Sequence, residues 1–105
     1  MSASPVVIVS ALRTPIGRYM GGLVSQSAVD LGEVAARGAL DAIGLEGPEV
    51  EVLFFGHGRQ AGCGPNPARQ VALRSGLSES SSATTINQAC ASGLKSIQLA
   101  ADDIA

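Results

Sequence analysis

Short runs of β-branched and aliphatic residues alternate along the chain with longer segments in which apolar residues recur at helical spacing. Continuous apolar runs of this length are typical of strands that are covered on both faces of a parallel sheet. The pattern predicts strands at residues 6–9, 50–55 and 83–86. A helix follows each of them, and the resulting order β-α-β-α-β-α indicates an α/β layered fold.

The helix boundaries are predicted by capping residues. Residues 28–43 carry apolar positions near a 3.6-residue spacing, and Gly44 stands where a C′ glycine would end that helix. Asn66 followed by Pro67 is typical of an N-cap with proline at the first helical position, and Gly76 provides the corresponding end. The second helix is therefore predicted between Asn66 and Gly76.

The last helix is predicted to begin near Cys90 and to bury one apolar face. That face consists of Leu94, Ile97, Ala101 and Ile104. The sequence stops at Ala105 inside this periodicity, with no Gly, Asn or Pro to close the helix. We therefore expect a truncated chain in which residues 1–105 form one incomplete domain.

Composition and charge exclude several classes of protein. A length of 105 residues corresponds to about one small domain. The net charge of −2, with seven scattered Lys and Arg residues, gives no reason to expect a nucleic-acid partner. No apolar stretch approaches the roughly 18 residues of a membrane span. The start has neither a basic signal region nor an Arg-rich presequence, so we expect a native start and a cytoplasmic protein.

Two cysteines, Cys63 and Cys90, and one histidine, His57, are the residues that could bind a transition metal. They are too few for a closed structural zinc site, and no metal is expected. A disulfide between the cysteines stays open as a possibility, although cytoplasmic thiols are normally reduced. Cys63 is interpreted as a small residue of a Gly/Pro-containing loop.

The chemistry of the chain is predicted to lie at residues 86–97, where a strand, a sharp turn and a helix succeed one another. Cys90 lies at the turn and is surrounded by small residues, which leave room for a substrate to approach the sulfur. A helix N-terminus favours a thiolate and an oxyanion, but contributes only about 0.3–1 kcal/mol, so a general base is needed as well. From spacing alone, a small buried helix residue is the better interpretation of Cys90, and only a resemblance to a known family can overturn it.

Three blocks of sequence, in order, resemble the thiolase family. Residues 86–97 (INQACASGLKSI) are similar to the acyl-enzyme signature of that family, residues 7–17 (VIVSALRTPIG) to its start, and QAG with NPARQ, at 60–62 and 66–70, to its second loop. The resemblance implies a layered α-β-α fold of which this chain supplies the first part. In that fold residues 6–9 form a central strand, which would here be an exposed apolar edge.

The resemblance also implies an acyltransferase. Cys90 would attack an acyl-CoA thioester and become acylated. A second acetyl-CoA, deprotonated at its α-carbon, would then attack this acyl-enzyme and give a 3-ketoacyl-CoA. We expect an acetyl-CoA C-acetyltransferase of lipid metabolism, with coenzyme A thioesters as substrates and no resident cofactor. The alternatives are a degradative 3-ketoacyl-CoA thiolase and a non-catalytic remnant that binds a partner chain.

Much of the family's catalytic machinery has no match in this sequence. Thiolases take a catalytic histidine, a second cysteine and an asparagine from a later part of the chain, so Cys90 is the one catalytic residue carried over. The intact enzyme is expected to be a homodimer or homotetramer. His57 is interpreted as a loop residue near the site or at a subunit interface, and Pro65 departs from the glutamine usual in the family.

Three further polar residues of the matched blocks are interpreted as structural, through ion pairs or helix capping: Arg13, Asn66 and Arg69. Lys95 is expected to be a solvent-facing helix residue. The glycines around His57 do not have the interval of a dinucleotide-binding loop, because the next one is Gly62.

Overall fold

A computed structural model describes residues 5–105 of the chain. It contains three α-helices and two strands: α1 at Ala28–Ala42, β1 at Val52–Gly56, α2 at Pro67–Arg74, β2 at Ser82–Ile86 and α3 at Ser92–Ile104. A single 3₁₀ turn, Gly47–Glu49, joins α1 to β1. The α/β class and five of the six predicted elements are thereby confirmed.

The two strands form a parallel pair in which Val52 is opposite Ser82 and Gly56 is opposite Ile86. Parallel neighbours need a crossover connection, and α2 provides it. The crossover is tied to the sheet by Thr85, whose hydroxyl accepts the Ala68 N–H at 3.0 Å. The same hydroxyl donates to Asn66 Oδ1 at 2.6 Å. The start of α2 is thus fixed over β2.

The core lies around α2, between α1 and the sheet. The fully buried side chains of α2 are Pro67, Ala68, Val71 and Ala72. Helix α1 approaches them at Gly32, where an added Cβ would lie 2.7 Å from the Phe55 ring and 2.9 Å from Val71. Glycine at this position therefore allows α1 to contact β1 and α2 at the same time.

The predicted helix ends are confirmed by the backbone conformation. Gly44 and Gly76 have φ values of +65° and +85°, in the left-handed region that favours glycine. Asn66 is the N-cap of α2, and its side chain accepts the Arg69 N–H at 3.4 Å. Ser27 caps α1 in a reciprocal capping box with Asp30, which the sequence analysis did not predict.

The predicted first strand is wrong. Residues 6–9 have no strand assignment and no ladder with β1, so the observed order begins with α1. Their apolar side chains lie beside the end of α3, where Val6, Val7 and Ile8 line a cavity with Ile97 and Ile104. A strand requires a hydrogen-bonded neighbour, and the apolar run alone does not specify one. The predicted exposure is confirmed, since Ile8 is 73% accessible.

The apolar face predicted for α3 exists but is not buried by residues 5–105. Leu94, Ile97 and Ile104 are 64%, 54% and 68% exposed. The buried residues of α3 are instead Ser92 and Ser96. None of the three helices in the described part has both the length and the apolar character of a membrane span.

Candidate functional site

Cys90 lies in the five-residue turn between the end of β2 at Ile86 and the first residue of α3, Ser92. Its thiol is free and the residue is exposed. It lines an open cleft of about 580 Å³ together with Gly58, Arg59, Asn87 and Ala89. The alternative interpretation of Cys90 as a small buried helix residue is therefore excluded, and the prediction of a thiol at the turn is confirmed.

The turn is held by the side chain of Ser92. The Ser92 hydroxyl donates to the Ala89 carbonyl at 2.6 Å and accepts the Gln88 N–H at 2.8 Å. Ser92 itself is only 4% exposed, and its carbonyl accepts a hydrogen bond from Ser96. Because buried hydroxyl groups with two partners are strongly oriented, the backbone on both sides of Cys90 is fixed relative to α3.

Ala89, which precedes Cys90, has a φ of +49°. This conformation costs a residue with a Cβ about 1–2 kcal/mol. The Ala89 N–H donates to Asn87 Oδ1 at 3.0 Å, and this bond closes the start of the turn. Strained backbone persists only where its surroundings fix it, and such positions cluster at active sites. The residue with positive φ and the exposed Cys90 are thus neighbours in the turn that lines the cleft.

The loop after β1 forms the opposite wall of the cleft. The His57 N–H donates to the Ile86 carbonyl at 2.9 Å and so continues the parallel pairing past the end of the strands. A Cβ added at the next residue, Gly58, would lie 3.1 Å from the Ala89 carbonyl oxygen. The glycine therefore permits this loop to lie directly against the Cys90 turn.

The contacts of His57 do not include Cys90. Its Nε2 is 3.9 Å from the Sγ of Cys63, and its ring packs edge-on against Phe55 at a centroid distance of 6.0 Å. The Nδ1 atom is buried without a hydrogen-bond partner among residues 5–105. The prediction that His57 is a loop residue near the site is thus confirmed, and no contact in the described part makes it a base for Cys90.

The residues predicted to be structural have structural contacts in two of three cases. Arg69 donates to the Ser81 carbonyl at 2.6 Å, and Asn66 caps α2 and donates to the Ala83 carbonyl at 3.1 Å. The carbonyl of Pro65 accepts from Gln70, so this loop position is anchored through its backbone. Arg13 has no hydrogen bond or ion pair within residues 5–105.

Arg59 is a residue of the cleft that the sequence analysis missed. It is exposed, and it is the charged member of the group that lines the cleft with Cys90. The signal that could have found it is the glycine beside it, which allows close approach of two backbones. Within residues 5–105, no cluster of three or more His, Cys, Asp or Glu side chains could hold a metal ion.

Comparisons with a family model and with known proteins point to the same family. The family model described as "Thiolase, N-terminal domain" matches residues 6–105. The chain is 51% identical over 100 residues to a cytosolic acetyl-CoA acetyltransferase of Gibberella zeae. This alignment covers 95% of the present chain and 25% of the relative. It is 47% identical over 98 residues to the acetyl-CoA acetyltransferase of Escherichia coli K12, and this alignment covers 93% of the present chain and 25% of the relative.

Solved structures show the same fold. The Acat5 thiolase of Ascaris suum, determined in complex with coenzyme A, superposes with a TM-score of 0.89 at 40% identity and covers 90% of this chain and 25% of that one. An acetyl-CoA acetyltransferase of Syntrophomonas wolfei superposes with a TM-score of 0.88 at 36% identity. The superposition covers 93% of the present chain and 25% of the Syntrophomonas chain. The chain therefore spans about a quarter of the length of the proteins it matches.

Proposed function

This chain belongs to the thiolase family, and on that premise we propose that Cys90 is the nucleophile that accepts an acyl group from a coenzyme A thioester. The observation that supports this most directly is the placement of the thiol. Cys90 is exposed in an open cleft, at a turn that is fixed on both sides by the buried hydroxyl of Ser92. Rigid presentation of this kind is what nucleophilic catalysis requires.

The proposed reaction has two halves. The Cys90 thiolate attacks the thioester carbonyl, the carbon–sulfur bond to coenzyme A breaks, and coenzyme A leaves as its thiolate and takes up a proton. In the condensing direction, the α-carbon of a second acetyl-CoA loses a proton to a base and attacks the acyl-enzyme. The new carbon–carbon bond gives a 3-ketoacyl-CoA and returns the Cys90 thiolate. Thiolysis is the reverse sequence.

For the whole protein we propose acetyl-CoA C-acetyltransferase activity. The support is the identity of 46–51% to several relatives that bear this name. The reaction needs coenzyme A thioesters and an ordered thiol, so no resident cofactor is part of the proposal. A homodimer or homotetramer is also part of the proposal, and its support is the membership of the thiolase family.

A cytoplasmic location is also a proposal. It is supported by the relative from Gibberella zeae, which is named as cytosolic. Other relatives of similar identity, such as the one from Danio rerio, are named as mitochondrial. The site chemistry is the same in either compartment.

The general base is proposed to come from outside residues 5–105. The one histidine has its nearest ring contact with Cys63, and no described side chain forms a hydrogen bond to the Cys90 sulfur. A positioned general base contributes typically 10²–10⁴-fold to the rate. The chain alone is therefore expected to be acylated slowly and once, without turnover.

The test is acyl transfer to Cys90. The chain is incubated with acetyl-CoA, digested, and the acetyl group is located by peptide mass spectrometry. Treatment with neutral hydroxylamine removes a thioester and leaves an amide, which separates acetyl-Cys90 from acetyl-Lys95 on a neighbouring position. We expect a hydroxylamine-sensitive acetyl group on Cys90 that is absent in Cys90→Ala and retained in Cys63→Ser.

Unfolded chain provides the reference for this test. In urea, Cys90 keeps its intrinsic thiol reactivity but loses the turn and the cleft. Labelling of native Cys90 that is no faster than labelling in urea, or that is matched by Cys63, would contradict the proposed role. Labelling of Cys90 alone, and only in the native chain, would support it.

A further inference from the structure

Cys63 and His57 form a pair of thiol and imidazole that is separate from the Cys90 site. The Sγ atom of Cys63 is 3.9 Å from His57 Nε2, and the carbonyl oxygen of Ala61 lies at the same distance from it. Cys63 is half-buried and its thiol is free. Neither member of the pair lines the cleft that contains Cys90. The proposed acyl transfer therefore gives this pair no role.

The imidazole of His57 is held in place and has one polar neighbour. Its ring packs edge-on against Phe55, and its backbone N–H is bonded to the Ile86 carbonyl. The Nδ1 atom is buried and has no hydrogen-bond partner among residues 5–105. In either tautomer, the described contact through which the ring can exchange a proton with another side chain is therefore the one between Nε2 and the Cys63 thiol.

The backbone of Cys63 is anchored on both sides. Its N–H donates to the Gln60 carbonyl at 3.1 Å, and its own carbonyl accepts Gln70 Nε2 at 2.7 Å. The flanking residues Gly62 and Gly64 have φ values of +78° and +75°, so the chain turns sharply at both neighbours of the cysteine. The thiol is thus presented to the imidazole by a fixed turn.

The chemistry that fits this arrangement is attack of the sulfur on a small, uncharged electrophile. Reactive cysteines are partly exposed and lie beside a group that can take up the thiol proton, whereas structural cysteines lack such a neighbour. A half-buried thiol favours a small reagent over one as large as a coenzyme A thioester. Hydroperoxides are small, uncharged and oxidise thiols of this kind.

We propose that Cys63 is a site of oxidation by hydroperoxides and that His57 is its proton acceptor. The sulfur attacks one oxygen of the hydroperoxide and the oxygen–oxygen bond breaks. The thiol proton passes to His57 Nε2 and from there to the leaving oxygen, which departs as water or an alcohol. Cys63 is oxidised by two electrons to a sulfenic acid, and the hydroperoxide is reduced. This step is independent of the acyl transfer proposed for Cys90.

The experiment measures formation of the sulfenic acid with hydrogen peroxide. The chain is treated in the presence of dimedone, which traps sulfenic acids, and the adduct is located by mass spectrometry after trypsin digestion. Arg69 and Arg74 lie between Cys63 and Cys90, so the two thiols are found on separate peptides. We expect Cys63 in the native chain to be oxidised about tenfold faster than in urea. This lies below the usual gain from a general base because 3.9 Å exceeds the best proton-transfer distance.

His57→Asn removes the proton acceptor and should return the Cys63 rate to within about twofold of its value in urea. Arg59→Gln is the matched control, because it changes an exposed residue of the same loop that lines the Cys90 cleft, and it should keep the native rate at Cys63. Circular dichroism of each variant confirms that the helices are retained.

Two results would overturn the proposal. The first is a native Cys63 that is oxidised no faster than Cys63 in urea, and this comparison needs no variant to fold. The second is a folded His57→Asn variant with the native rate at Cys63, which would show that the imidazole takes no part. The dimedone adduct at Cys90, measured in the same digest, should be unaffected by His57→Asn, and an equal fall at both thiols would contradict a specific role of His57 at Cys63.

Discussion

Gly56, the last residue of β1, lies directly against the backbone of Ser92 at the start of α3. A Cβ added at Gly56 would be 2.6 Å from the Ser92 carbonyl carbon and 2.7 Å from its oxygen. Ser92 is the residue whose hydroxyl holds the Cys90 turn. The end of β1 can therefore lie directly against the residue that holds the Cys90 turn, because position 56 has no side chain.

Replacement of Gly56 by Ala is expected to destabilise the chain by about 1–3 kcal/mol, the usual cost of inserting atoms into a packed contact between rigid elements. Urea unfolding followed by circular dichroism measures the change. Gly93→Ala is the control, because a Cβ at Gly93 meets nothing within 4 Å and alanine favours the helix by up to about 1 kcal/mol. Equal effects of the two substitutions would contradict the close packing of Gly56 on Ser92.

Removal of the Ser92 hydroxyl is expected to loosen the turn around Cys90. Ser92→Ala leaves the Gln88 N–H without its partner, and the cost is about 1–2 kcal/mol for a partly buried group. Amide hydrogen exchange at Gln88 should become faster, and acylation of Cys90 slower. The comparison is Ser96→Ala, which removes a hydroxyl bond within α3 to the Ser92 carbonyl and should leave exchange at Gln88 unchanged.

Substitution of His57 tests the assignment of the general base. Because the His57 ring contacts Cys63 and Phe55, His57→Asn is expected to change the rate of Cys90 acylation by less than about threefold. Loss of a general base would instead reduce it about 10²–10⁴-fold. The rate is measured by mass spectrometry with acetyl-CoA. As a positive control, His57→Asn should alter the rate of Cys63 alkylation. A hundredfold fall in the rate of Cys90 acylation would contradict the prediction and make His57 the base.

The features predicted correctly from the sequence are those set by local backbone chemistry. Gly44 and Gly76 end helices because glycine adopts positive φ without penalty, and Asn66-Pro67 starts one because the cap bond is local. The turn at Cys90 likewise contains bonds between residues that are close in sequence, from Asn87 to Ala89 and from Ser92 to Gln88 and Ala89.

The features that the sequence did not predict depend on distant partners. The run at residues 6–9 has a strand-like composition, but a strand requires a neighbour, and β1 has only β2. Arg59 enters the cleft through the contact between Gly58 and Ala89, which are 31 positions apart in the printed sequence and adjacent in space. Positive φ at Ala89 was also missed, since alanine gives no signal for it.

The contact between α1 and α2 is expected to make stability depend on pH through Asp30. The Ser27 N–H donates to its carboxylate at 2.9 Å and Arg74 pairs with it at 2.7 Å, and these partners lower the pKa of Asp30 to about 2 from the usual 3.8. The folded state thus favours the ionised form. The stabilisation is complete above about pH 4 and is lost as the pH falls from 3.8 through about 2.

Asp30→Asn removes this titration, so the urea midpoint of the variant should fall less steeply between pH 4 and pH 2 than that of the native chain. Asp41→Asn makes the same change of charge at the other end of α1, away from Ser27 and Arg74, and should keep the native pH dependence. Urea titrations at intervals across this range, in constant salt, measure the slopes. If all three chains have the same slope, the pKa of Asp30 is not lowered in the folded state, and the contact between α1 and α2 owes its stability to Arg74 and Glu33 instead.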